Sequence, residues 1–84
     1  MKYEHHFLYE DVKRAQNEHE CFKYLIQKSL QQVEDGNLKK AKDNLIVSIR
    51  SLDELWKMKQ DKESKERAIK LISQLDSDTL EKIL

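Results

Sequence analysis

The sequence predicts an all-α fold, a small bundle of three helices plus a short C-terminal helix, built on an antiparallel helical hairpin. Three observations predict it. Proline is absent and glycine occurs once, at Gly36, so the chain lacks the punctuation that multi-strand folds require. Lys, Glu, Leu, Gln and Ile dominate, and they are largely good helix formers. Apolar residues recur at steps of three and four rather than alternating with polar ones.

The first helix is expected at about residues 4–34. From Leu8 the steps to Val12, Ala15, His19, Phe22, Ile26, Ser29 and Val33 alternate four and three, the spacing of a coiled-coil seam. Leu25 and Leu30 widen the stripe towards its C-terminal half, as packing against more than one neighbour requires. Glu34-Asp35-Gly36-Asn37 then marks a turn. Gly36 takes a left-handed C′ conformation without a Cβ penalty, and Asn37 suits the cap of the next helix. So short a loop makes that helix an antiparallel neighbour.

The second helix is expected at about 38–58, with Leu38, Ala41, Leu45, Ile49, Leu52, Leu55 and Trp56 on one core-facing stripe. Ile46, Val47 and Met58 fall off that stripe, and Val47 and Met58 form a second apolar patch that needs a second partner. Residues 59–67 are wholly polar, yet Asp61 and Lys65, Glu63 and Arg67, and Glu66 and Lys70 are acid–base pairs in the favourable helical orientation. On a straight helix the stripe of residues 38–56 and the later one (Ala68, Leu71, Ile72, Leu75) point roughly 160° apart. A compact monomer therefore needs a break near 59–64, whereas an unbroken helix would serve two packing partners, as in an intertwined dimer. The break is the expectation, with a third helix at about 62–75. A short helix at 79–84 follows, with Asp78 and Glu81 at capping spacing.

With 84 residues the chain forms one domain with a modest core, burying only roughly 60–65% of its unfolded surface. Charged and hydrophobic residues each make up 38%, which excludes both a highly charged disordered chain and a membrane span. Cys21 is the sole cysteine, so no internal disulfide framework exists. The first residues do not resemble a signal peptide, and a reducing, cytoplasmic location is expected.

No residue cluster points to catalysis. His6 stands four residues before Glu10 on one expected helical face, but with His5 it forms only a weak chelate, short of the three or four converging ligands that a metal site needs. His19 occupies the seam of the first helix and reads as a hydrogen-bonded core histidine. Cys21 lies outward beside Glu18 and Glu20, and acids do not activate a thiol. Gly-rich phosphate loops, nucleophile elbows and paired cysteines are missing from the sequence. The expectation is a non-enzyme without cofactor or metal.

Tyr3, Phe7 and Tyr24 point away from the first seam, Tyr9 flanks it, and Val47 and Met58 share the off-stripe face of the second helix. Exposed aromatics supply interface area at low entropic cost, so these six residues are the candidate partner-binding positions. Trp56 reads as core. The expected function is a protein-binding regulator, adaptor or inhibitor acting through a helical surface, with another protein as partner and a homodimer as the expected state. Proline-free, Lys-, Glu- and Ile-rich small proteins are typical of bacteria, phages and mobile elements. The alternative is a small nucleic-acid-associated transcriptional accessory protein using Lys39, Lys40 and Lys42. It is disfavoured because 16 basic residues are balanced by 16 acidic ones, where a nucleic-acid domain shows a basic excess.

Overall fold

The computed structural model describes the backbone of residues 1–83 and the side chains of residues 1–74. The elements are α1 (Tyr3–His6), a 3₁₀ turn (Tyr9–Asp11), α2 (Val12–Glu34) and α3 (Leu38–Ile83). No strand occurs among the described residues. The fold is all-α, and α2 with the first half of α3 forms the expected antiparallel hairpin.

Gly36 closes that hairpin at φ 77°. Its N–H donates to the Val33 carbonyl at 3.0 Å, and the Asn37 N–H donates to the Gln32 carbonyl at 2.8 Å. These two bonds are the Schellman pattern, which satisfies carbonyls that a helix end leaves orphaned. The Asn37 carbonyl accepts the Ala41 N–H at 3.1 Å, and α3 begins there.

Two helix boundaries differ from the sequence expectation. The first helix does not run from residue 4: Phe7 (φ −131°, ψ 152°) and Leu8 (φ −60°, ψ 150°) are extended. The physical gain is burial. A continuous helix would carry Phe7 past the end of the hairpin, whereas the break folds it onto α3, where it is 4% exposed. Phe7 packs with Ala15, Leu55 and Met58, and Tyr3 lies against that cluster. The second difference is in α3, which continues unbroken through 59–64 and again through 76–78, so the expected third helix at 62–75 and short helix at 79–84 are parts of one element. Its continuity has a local cause: no glycine or proline interrupts the stretch, and Lys59–Glu63 and Lys62–Glu66 pair at 4.0 and 3.7 Å, one turn apart. The expected cap at Asp78 and Glu81, and the apolar contacts of Leu80, Ile83 and Leu84, lie outside the described side chains.

The N-terminal segment therefore acts as a strap across the open end of the hairpin. The Tyr3 hydroxyl and His19 Nδ1 are 2.7 Å apart. Lys62 Nζ donates to the Glu4 carbonyl at 3.0 Å, and Lys65 approaches Glu10 at 3.9 Å. Beyond this end α3 projects as an arm, and every described side chain from Glu63 to Gln74 is exposed. The molecule measures 73 × 19 × 15 Å with a radius of gyration of 20.1 Å, where a compact domain of this length has about 12 Å.

Candidate interaction surface

The seam between α2 and α3 is not the stripe expected from hydrophobicity. On α3 the buried or half-buried positions are Ala41, Asn44, Ser48, Ser51, Glu54, Leu55, Met58 and Lys62; apart from Glu54 at the rim, they are spaced alternately by three and four. Small residues occupy most of its first half, and on α2 Ala15 and Ser29 face it, both buried. Small side chains let two helices approach closely. The Ser29 hydroxyl shows this, lying 2.8 Å from the Leu25 carbonyl in its own helix and 3.3 Å from the Ala41 carbonyl across the seam. Ser48 donates to the Leu45 carbonyl at 2.6 Å, and Asn44 donates to the Gln32 side chain at 2.7 Å. The hydroxyls of Ser29 and Ser48 and the amide of Asn44 are thus paired, as burial demands. Arg14 pairs with Glu54 at the rim.

At 100° per residue, the apolar stripe of α3 is centred roughly 100° away from this seam. Leu38, Leu45, Ile49, Leu52 and Trp56 are all exposed, Trp56 at 62%. The expectation that they form the core is corrected: small residues seat α3 on α2 and leave the large ones outside. On α2, Leu30 and Val33 are exposed too. In an antiparallel pair they flank the seam on the side that carries the α3 stripe, so the hairpin presents one apolar face. Where this face meets the strap, His6, Phe7, Leu52, Leu55 and Trp56 line a shallow apolar depression.

The six candidate partner positions are not gathered in one patch. Phe7 and Met58 are core residues, at 4% and 2% exposure. They read as outward only on the assumption of an unbroken first helix and a core stripe centred on Leu45. Tyr3 is half-buried under its bond to His19. Tyr9 is 94% exposed at the open end, and exposed Tyr24 lies fifteen residues on, about 22 Å along the helix, with Lys28 over its ring at 5.6 Å. Val47 is exposed beside a polar depression formed with Glu18, Arg50, Ser51 and Glu54. The extended backbone at Phe7 and Leu8 also removes His6 and Glu10 from a common helical face.

Sequence reasoning missed the exposed stripe as a surface. The signal that identifies it was present: Ala41, Asn44, Ser48, Ser51, Leu55 and Met58 repeat at seam spacing, and the serines among them suit a close helix contact. On the arm, Ile69, Leu71 and Ile72 form a second exposed apolar set. No helix of the described residues is long and apolar enough to cross a membrane. No family model matches the chain, and no curated protein or solved structure is significantly similar to it.

Proposed function

We propose that this chain is a small non-enzymatic regulator, adaptor or inhibitor that works by docking a helical surface on another protein. The observation that carries the reading is the arm. Ile69, Leu71 and Ile72 stand exposed on a helix that projects beyond the hairpin and strap. Apolar side chains grouped on a projecting helix favour a helix-in-groove mode of recognition. An arm folded back near 59–64 would instead complete a three-helix bundle within the chain and hide this set, and the arm's helical continuity supports the open form.

Nucleic acid is the weaker reading. The bases of the arm are interleaved with acids at pairing distance, as Lys59–Glu63 and Lys62–Glu66 illustrate, and such pairs weaken the field that phosphates would feel.

The test is affinity capture from the native cell with the full chain and with a Leu71→Glu/Ile72→Glu variant. The expected result is a specific protein retained by the first and lost by the second at unchanged hairpin stability, with retention persisting at about 0.5 M salt, where charge attraction is screened. Retention of nucleic acid that falls steeply with salt, or protein capture indifferent to both substitutions, would overturn the proposal.

A further inference from the structure

The apolar face of the hairpin is separate from the arm, and it carries information about its own occupant. We infer that this face is the interface between two copies of the chain, packed α3 against α3 in antiparallel register about a two-fold axis level with residue 47.

Area is the first argument. The described core contains six buried apolar residues, of which two are alanines. Outside it, Leu30, Val33, Leu38, Leu45, Ile49, Leu52 and Trp56 each leave between 43 and 65% of their surface in water. That is on the order of 600 Å² of side chain, the upper end of what a monomer exposes in one patch and most of the roughly 800 Å² per partner of a standard interface. More large apolar side chains stand exposed in this patch than are buried in the core.

The second argument is register. Positions 38, 42, 45, 49, 52 and 56 alternate steps of four and three, so they form a seam of their own. Laid antiparallel on a copy of itself, the seam matches every position with another of the same set. Leu38 meets the partner's Trp56, Leu45 meets the partner's Ile49, and Lys42 lies over the partner's Leu52. An isologous interface requires this self-matching, and the seam meets it.

Charge supplies the third argument. In that register the positions just outside the seam oppose Lys39 to the partner's Asp53, twice by symmetry, and Ile46 to the partner's Ile46. Lys42 can lay its methylenes on Leu52 of the partner subunit and carry its ammonium towards the neighbouring carboxylate. A parallel pairing turns Lys39 and the partner's Asp53 to opposite edges of the seam, so the ion pairs do not form. Slipping the antiparallel pair by one heptad leaves Ile46 facing either a charge from Asp53 or one from Lys39. Only the stated register satisfies all three flanking positions. It also brings Leu38 of the partner subunit to the apolar depression between Trp56 and the strap, so the strap completes the interface.

Sedimentation equilibrium of the full chain tests this. The 10.1 kDa chain is expected to sediment as a species of twice that mass. Leu45→Asp/Ile49→Asp, at positions exposed in the single chain, should give a monomer that keeps the helical signal of the parent at low temperature. Lys39→Glu and Asp53→Lys should each raise the dissociation constant about tenfold, because each turns two attractive pairs into repulsive ones. The combined Lys39→Glu/Asp53→Lys chain should return to within about threefold of the parent. A monomeric parent at about 100 μM, a dimer untouched by the aspartates, or a charge swap without recovery would each overturn the inference. The arm variants of the preceding section lie outside this face and should leave the mass unchanged, which separates failure of the one proposal from failure of the other.

Discussion

Along α3, the stretch from Ala41 to Met58 packs on α2, whereas the stretch from Glu63 to Gln74 is exposed at every described side chain. Both are helical, and they are helical for different reasons. The first half is held by tertiary contact: small residues at the seam admit close approach, and Leu55 and Met58 receive Phe7 from the strap. The second half is held by local terms, including acid–base pairs a turn apart and good helix formers without interruption. Local pairs of this kind stabilise an isolated helix by only about 0.2–0.5 kcal/mol each, and a helix of this length is marginal alone in water. The contrast teaches that continuity of a helix says nothing about continuity of its burial. One uninterrupted rod carries a seam, an uncovered apolar stripe on its packed half and a second apolar set on its arm, each aimed in a different direction.

Substitutions can break this contrast or sharpen it. The largest expected effect is at the strap: Phe7→Ala should lower the unfolding free energy by about 3–4 kcal/mol, because a buried aromatic is removed from a core with little to replace it. Chemical denaturation followed by circular dichroism measures it, and a loss below about 1 kcal/mol would mean that the strap is not part of the core. Next comes overpacking of the seam. Ser48→Leu places four carbons where α2 approaches closely, and about 2 kcal/mol of destabilisation should appear in the same assay. A neutral outcome there would show that the helices are held apart by more than the small residues imply. Gly36→Ala should cost about 1 kcal/mol through its positive φ alone, since an added Cβ meets nothing within 4 Å. On the arm, Ile72→Ala should change the unfolding free energy by less than about 0.5 kcal/mol. A larger effect would place the arm among the packed parts of the chain.

Much of this fold was legible in the residues. The absence of proline, the single glycine at 36 and the three–four spacing from Leu8 to Val33 specify helices and a tight antiparallel turn, and the Schellman bonds at Gly36 and Asn37 realise it. His19 reads as a hydrogen-bonded residue of the first helix, and it is so placed. The rest was hidden by a rule that usually serves well, namely that the larger apolar stripe faces inwards. That rule misassigned Leu45, Ile49, Leu52 and Trp56, and it made Met58 look peripheral. Phe7 was misread for a different reason: with no proline nearby, nothing local signals the extended backbone that turns it back.

Helicity, the turn and the absence of strands follow from the sequence by itself, because propensity, capping and periodicity are properties of a few neighbouring residues. Which face of α3 meets α2, where the N-terminal segment doubles back, and which large side chains are left in water were decided only by the tertiary structure. Those choices depend on how closely two surfaces fit, and closeness of fit belongs to a pair of helices rather than to either one.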